Sequence, residues 1–153
     1  MSKLPSIEFL EKKNVSFKVI ELPRPPKSAQ DVMLLFQCQL AQVIKTLLFV
    51  GDMNILACLP GDRNADLALL RKLFKISNLR LATPSEIKTV TGFEVGSVCP
   101  FLFTDKVHLV LDEACLLNEK INVGAGTRTT GIELKSADLK KVWPGQIARI
   151  SNQ

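Results

Sequence analysis

The sequence predicts a mixed α/β domain in which helices and strands are interleaved along one chain of 153 residues. Three observations carry that expectation. Apolar residues recur first at helical spacing, then at strand spacing, and the two patterns alternate to the end of the chain. Two apolar runs, Val43 to Val50 and Ile55 to Leu59, are joined by the short polar connector Gly51-Asp52-Met53-Asn54. That is a hairpin signal, and it disfavours a purely parallel, doubly wound sheet. Finally, neither a repeat nor a linker divides residues 1–153, so they read as a single domain long enough to bury a core.

Taken in order, Ile7, Phe9 and Leu10 sit at helical spacing behind Ser6, a candidate cap, and predict a helix over 5–13. Val15, Phe17 and Val19 alternate with polar residues and predict a strand over 15–21. Pro23, Pro25 and Pro26 force an extended loop. Ser28-Ala-Gln-Asp31 has the form of a capping box, with Asp31 in place of the usual Glu or Gln, and opens a helix over 29–36. Beyond the hairpin, Asn64 or Asp66 starts a helix with Leu67, Leu70 and Phe74 on one face. Thr83-Pro84-Ser85-Glu86 is the clearest local signal, with an N-cap, a proline at the first helical position and a glutamate at the third. Its helix runs to about Val90 and ends at Gly92. A strand is expected over 106–112, a short one at Ile121 and Val123, and a third at Ile132 to Leu134. Ser136 would cap a last helix over 137–142, and Ile147 to Ile150 would return as an edge strand.

Composition narrows the function classes. Apolar residues are 46% and charged residues 23%, which excludes a disordered chain. No apolar run reaches membrane-spanning length, and the first twenty residues hold no signal-peptide core, so a cytoplasmic location is expected. The net charge of +5 is spread along the chain. Such a surface suits contact with an RNA backbone without being the footprint of tight, general nucleic-acid binding. Cysteines at 38, 58, 99 and 115 have no metal-ligand or C-x-x-C spacing, and His108 is the single histidine. Most of these cysteines are expected to be small buried hydrophobes, and no metal site is expected.

Four features could carry chemistry. Lys45 interrupts the apolar run Val43-Ile-Lys-Thr-Leu-Leu-Phe-Val. It is either an edge lysine that deters aggregation or a cleft lysine suited to an anion such as phosphate. The loop Gly96-Ser97-Val98-Cys99-Pro100 could aim backbone N–H groups at a carbonyl oxygen, although most glycine–proline loops are ordinary turns. Gly124-Ala-Gly126-Thr127-Arg-Thr129-Thr130 is a small-residue turn that ends in hydroxyls. Cys99 and His108, with Asp112 as orienter, are the one pair that could form a nucleophile and base, and nothing in the sequence brings them together. No paired carboxylates and no Walker loop are present.

The ordered succession of Val43-Ile-Lys45-Thr-Leu-Leu-Phe, Leu59-Pro-Gly-Asp62-Arg, Leu81-Ala-Thr-Pro-Ser-Glu86 and Thr91-Gly-Phe-Glu-Val-Gly96-Ser-Val-Cys-Pro100 resembles the YbaK/prolyl-tRNA-synthetase editing-domain family. Val110-Leu-Asp112, the Gly124 to Gly126 turn and the segment Leu134 to Leu139 continue the likeness in the same register.

The resemblance implies a mixed sheet curled into a partly closed barrel with flanking helices. It also implies a free-standing, trans-acting deacylase that hydrolyses the ester of mischarged tRNA, tRNA(Pro) or another, carrying a small wrong amino acid. The alternative is a weakly active module of the same fold that binds aminoacyl-tRNA or a synthetase. By position, Lys45 would hold the phosphate or ribose end, while Gly96 and Ser97 would grip the ester carbonyl through their backbone. Val98, Cys99, Pro100, Asp112, Gly124, Gly126 and Thr129 would form the substrate pocket. Water or the terminal 2′-hydroxyl of the substrate would attack, without a protein nucleophile, a metal or a cofactor. The implied partners are the acceptor end of mischarged aminoacyl-tRNA and, secondarily, an aminoacyl-tRNA synthetase, with neither DNA nor a membrane. One departure stands out. Where the cysteine-removing branch of the family carries a serine and then an aspartate, this chain has Gly124 and Gly131. That leaves alanine, serine, threonine or another small residue as the amino acid removed.

Overall fold

The computed structural model of the chain describes residues 4–100 and 107–152. Its elements are α1 (Pro5–Lys12), β1 (Phe17–Glu21), α2 (Ala29–Phe36), β2 (Ile44–Gly51), β3 (Ile55–Pro60), β4 (Asn64–Ala65), α3 (Leu67–Phe74) and β5 (Leu79–Leu81). They continue with α4 (Pro84–Thr91), β6 (His108–Asp112), β7 (Lys120–Gly124), β8 (Thr130–Lys135), α5 (Ser136–Val142), β9 (Gln146–Ala148) and β10 (Ser151–Asn152). Short 3₁₀ turns cover Leu40–Gln42 and Glu113–Leu116. The interleaved α/β reading holds, as does the hairpin, in which β2 and β3 pair antiparallel from Ile44↔Pro60 to Phe49↔Ile55.

The strands form a five-stranded sheet in the order β5-β2-β3-β6-β9, a three-stranded sheet β1-β8-β7 and a small pair β10-β4. The larger sheet is mixed: β3 runs parallel to β6 and β6 parallel to β9. A single parallel bridge, Val43↔Asn122, links the two main sheets. The expected partly closed barrel is therefore not found among the described residues. One bridge cannot continue a ladder around a closed wall, and the sheets stay open on either side of it.

Strand β3 explains the layering, because all six of its residues are buried and its side chains alternate between two cores. Ile55, Ala57 and Leu59 face a core that α3 closes with Leu70 and the tail closes with Ile150. On the other face, Cys58 joins Ile44 and Leu111 against Ile121, Val123, Ile132 and Leu134 of the three-stranded sheet. Leu10 of α1 and Leu139 of α5 complete that core. Leu48, Val50 and Leu56, also on this face, pack with Ala82 and Val98 beneath α4.

Local chemistry sets the helix ends. The Thr83–Glu86 capping box is complete, and Gly92 closes α4 at φ 80 in the left-handed region. Asp66 accepts from the N–H groups of Ala68 and Leu69 at the start of α3. Two expected caps are corrected. Leu4 is the N-cap of α1, and Ser6 lies inside the helix, where its hydroxyl donates to the Ala125 carbonyl at 2.7 Å and docks α1 on the turn after β7. Ser136 is the first residue of α5, with Lys135 at the cap. Residue 106 of the expected 106–112 strand lies outside the described residues, and β6 begins at His108. The tail does reach a sheet edge, but as β9 beside β6, and then as β10, which pairs with β4.

That tail is held by Asp112, which is fully buried at the end of β6 and accepts from the Ile150 N–H at 3.0 Å and from the Ser151 hydroxyl. Asp112→Ala would leave two buried donors without an acceptor. It is expected to lower unfolding free energy in urea by about 3 kcal/mol, with loss of hydrogen-exchange protection at the Ile150 amide. A second clamp pins the proline loop to α2: Arg24 and the Lys27 N–H bind the Asp31 carboxylate. Chiefly through the Arg24 hydrogen bond, they lower its pKa from 3.8 to about 2. A carboxylate depressed on folding contributes stability that is complete above its unfolded value and lost as pH falls through its folded one. The clamp should therefore hold above pH ~4 and open between about 4 and 2, which a carbon-13 titration of the Asp31 carboxyl would follow.

Candidate active site

The site is built on an interrupted edge of β2. The Gly61 N–H donates to the Val43 carbonyl at 2.7 Å. Because antiparallel pairing alternates, the backbone groups of 43, 45 and 47 then face β3, and those of 44, 46 and 48 face the opposite edge. There Leu48 O meets the Ala82 N–H at 2.9 Å, and β5 pairs only with Phe49, Val50 and Gly51. Between this pairing and the bridge at Val43, the N–H and C=O of Thr46 face a gap with no strand beside them among the described residues. Unpaired strand groups of this kind can hydrogen-bond a ligand.

The gap opens into a cleft of about 440 Å³, within the size range of small-molecule sites. Lys45, Thr46 and Leu48 line it on one side, Leu81, Pro84 and Ile87 on another, and Gly96, Val98 and Gly124 complete it. Lys45 stands opposite Leu59 and is half-buried. Burial lowers the pKa of its ammonium from the ordinary value, and the Asp62 carboxylate partly opposes that shift. A partly desolvated cation gains from an arriving anion, which favours the anion-anchor reading of this lysine over the edge reading.

The loop 94–98 takes its shape from Gly96, whose φ of 83 is left-handed and around which a Cβ would meet nothing within 4 Å. Ser97 is buried: its N–H and hydroxyl both bond the Glu94 carbonyl, at 3.1 and 2.9 Å. Its N–H is thus committed to the turn, while Gly96 and Val98 on either side of it line the cleft. Gly124, at the end of β7, lets the loop approach closely, since a Cβ there would lie 3.2 Å from the Val98 carbonyl.

A second, smaller cavity of about 90 Å³ adjoins the cleft and shares Val32, Val43, Ile44, Gly96 and Gly124 with it. It lies between α2 and the face of the three-stranded sheet that carries Asn122, Gly124 and Gly131. The Phe36 ring covers Gly131 so closely that a Cβ there would overlap it. Thr127, Arg128 and Thr130 close the far side, with the Thr130 hydroxyl 3.3 Å from Glu21 Oε2.

Of the residues singled out in the sequence, Lys45, Gly96, Val98 and Gly124 come together in the cleft. The others do not line it. Cys99 is fully buried in the core with Leu111 and Cys115, and Pro100 is buried. Asp112 is spent on the tail. Gly126 backs onto the Phe93 ring, where a Cβ would come within 3.1 Å, and Thr129 lies one residue from the small cavity's wall. The Cys99/His108 dyad is not assembled, because His108 is exposed at the start of β6 with its ring edge-on to Phe74 at 6.1 Å. Asn122, Phe36 and the Thr46 backbone were not foreseen. The pattern Ile121-Asn122-Val123 marks Asn122 as the outward residue of a strand, and only the packing of α2 over that face buries it.

The cleft thus gathers a half-buried lysine, a stretch of β2 edge with no neighbouring strand among the described residues, and a loop shaped by Gly96. The chain belongs to the aminoacyl-tRNA editing domain family, whose model matches residues 24–142. It is 34% identical over 113 residues to a proline–tRNA ligase of Geobacillus sp. (strain WCH70), covering 72% of this chain and 20% of the ligase. It is 32% identical over 92 residues to the multifunctional Ser/Thr-tRNA deacylase ProXp-y of Escherichia coli (strain K12), covering 60% of this chain and 55% of that protein. Among solved structures, a candidate trans-editing enzyme for prolyl tRNA synthetase superposes with a TM-score of 0.84 at 27% identity. That match covers 99% of this chain and 100% of the other.

Because Gly96 occupies the left-handed region in open space, Gly96→Ala would be penalised by backbone conformation and not by a clash. The expected loss is about 1 kcal/mol in urea unfolding, with amide chemical-shift changes centred on residues 94–98.

Proposed function

We propose that the chain is an aminoacyl-tRNA deacylase that acts in trans in the cytoplasm, cleaving the ester between a small, wrongly attached amino acid and its tRNA. The observation that carries this reading is the junction of two compartments at Gly96 and Gly124. The larger cleft offers Lys45 and an apolar wall to a terminal nucleotide, and the smaller cavity offers room for a few side-chain atoms. The ester that joins a nucleotide to an amino acid would lie between them. Similarity to a trans-editing candidate along its whole length supports action on a separate charged tRNA, and similarity to a segment of a proline–tRNA ligase supports tRNA(Pro) as one carrier.

The lining residues supply positioning and electrostatics. Lys45 would hold a phosphate of the terminal nucleotide. The N–H groups of Gly96 and Val98 would receive the ester oxygen as it gains charge in the tetrahedral intermediate. The attacking oxygen would come from water, oriented by the backbone edge at Thr46 and by the free ribose hydroxyl of the terminal nucleotide, whose own attack would only shift the acyl group along the ribose. When water attacks, the acyl–oxygen bond breaks, one proton of the water ends on the leaving ribose oxygen, the other passes to solvent, and the amino acid departs as its carboxylate.

Lys45→Ala tests the reading. Charged lysine is disfavoured by its folded surroundings, so its removal should leave the melting temperature unchanged or slightly raised. Deacylation, read as kcat/KM, should fall by about 10- to 100-fold, on the scale of losing one charge-assisted contact to the substrate. The assay is release of alanine, serine, threonine, cysteine or proline from charged tRNA by wild type and variant. A wild type that binds these tRNAs and cleaves none would identify a binding module instead.

A further inference from the structure

A separate groove lies where the parallel strands end. β3, β6 and β9 run parallel to one another. Beyond their carboxyl ends, Arg63, Asp112, Glu113, Leu117, Arg149 and Ser151 line a groove of about 470 Å³. Arg63 stands in the turn after β3, where its N–H donates to the Pro60 carbonyl at 3.1 Å. Asp112 is the last residue of β6, and Arg149 follows the last residue of β9. In open sheets of parallel strands, ligands bind at this end.

The charges already satisfied decide what the groove can hold. Asp112 is fully buried, and both its oxygens accept from the tail, one from the Ile150 N–H and the other from the Ser151 hydroxyl. Arg63 and Arg149 form no ion pair and no side-chain hydrogen bond among the described residues. Glu113 is exposed on the rim. Two guanidinium groups, that of Arg63 half-buried, are thus set against one solvated carboxylate, and their planar forks match the oxygens of a phosphate.

The groove shares an edge of the sheet with Lys45. Lys45 pairs with Leu59, and the Cys58↔Leu111 register sets Leu59 beside Asp112. The three side chains therefore follow one another on one face across β2, β3 and β6. Two strand spacings, about 10 Å, separate the strand of Lys45 from that of Asp112. Asp62, exposed in the turn between them, already interacts with Lys45.

We propose that Arg63 and Arg149 bind a phosphate of the RNA strand upstream of the terminal nucleotide. The inference rests on the deacylase reading, in which Lys45 holds that nucleotide, and adds a second anchor on the same strand. Leu117, 73% exposed, offers an apolar wall to a ribose or base. A contact this far from the ester is made equally before and during reaction, so it acts on binding and leaves the chemical step alone.

The test titrates uncharged tRNA(Pro), at several salt concentrations, into wild type, Arg63→Gln, Arg149→Gln, the double variant and Glu113→Gln. The double variant should bind about 10-fold more weakly and lower the slope of log affinity against log salt by about 1, the loss of one phosphate contact. Each single arginine variant should fall between, and Glu113→Gln, which removes the opposing charge, should bind more tightly. With charged tRNA, KM should rise in the double variant by the same factor while kcat holds. Melting curves check that the variants fold, and if the double variant does not, the single variants and Glu113→Gln decide. Unchanged affinity and salt slope in the folded double variant, or weaker binding by Glu113→Gln, would overturn the groove assignment and leave the deacylase reading in place. Inorganic phosphate that binds wild type but not the double variant, with equal tRNA affinity in both, would assign the groove to a free phosphate compound and overturn the RNA anchor. A wild type that binds tRNA(Pro) through the arginines and cleaves no ester would overturn the deacylase reading alone. A wild type without affinity for tRNA would overturn both.

Discussion

The site depends on the interruption of pairing along one edge of β2. A continuous partner strand would satisfy the amides of residues 44 to 48 and close the cleft. Instead, β5 stops at Leu81, opposite Phe49, and among the described residues the neighbouring sheet pairs with the chain just before β2, at Val43. The residues between keep their strand geometry because β3 holds them from the other side across six paired positions. The arrangement is rigid where it must be, since β3 is buried on both faces and anchors two cores. It is open where a ligand needs backbone donors and acceptors.

The loop at Gly96 and the helix α2 complete the site from opposite sides, and both are positioned by small residues. Gly124 allows the Val98 carbonyl to come against the end of β7, and Gly131 allows the Phe36 ring to lie on the sheet. Side chains at either position would push the loop or the helix outward. The two glycines where the sequence departs from the cysteine-removing branch of the family are thus packing positions as well. Their smallness brings an aromatic wall and a loop into a pocket that polar side chains would otherwise occupy.

Much of the fold was legible because its signals are local. The Thr83–Glu86 box, the Gly92 stop and the β2–β3 connector each act within a few residues, and each was read correctly. Strands β4, β5 and β10 were missed, since two or three residues carry too little periodicity, and their pairing is decided by distant partners. Lys45, Gly96, Val98 and Gly124 could be picked out because a charge in an apolar run and glycines in turns are visible in one dimension. Asp112 shows the converse limit: the tail that its buried carboxylate holds is far off in sequence, so no local pattern announces that bond. The curled barrel came from the family likeness and not from any pattern in the strands, and the single Val43–Asn122 bridge does not support it.

What remains after the core is accounted for is a set of unfavourable features gathered in one place. Lys45 is charged where burial disfavours charge, Asn122 Oδ1 is buried with no hydrogen-bond partner among the described residues, Thr46 has no neighbouring strand on one side among them, and Gly96 takes a left-handed turn in open space. The first three each oppose folding on their own. An ester-bearing ligand with an anionic group would relieve two of them together: an anion at Lys45 and hydrogen bonds along the β2 edge. The free energy withheld from folding at these groups then becomes binding energy concentrated around the Gly96 loop, where an ester carbonyl would develop charge.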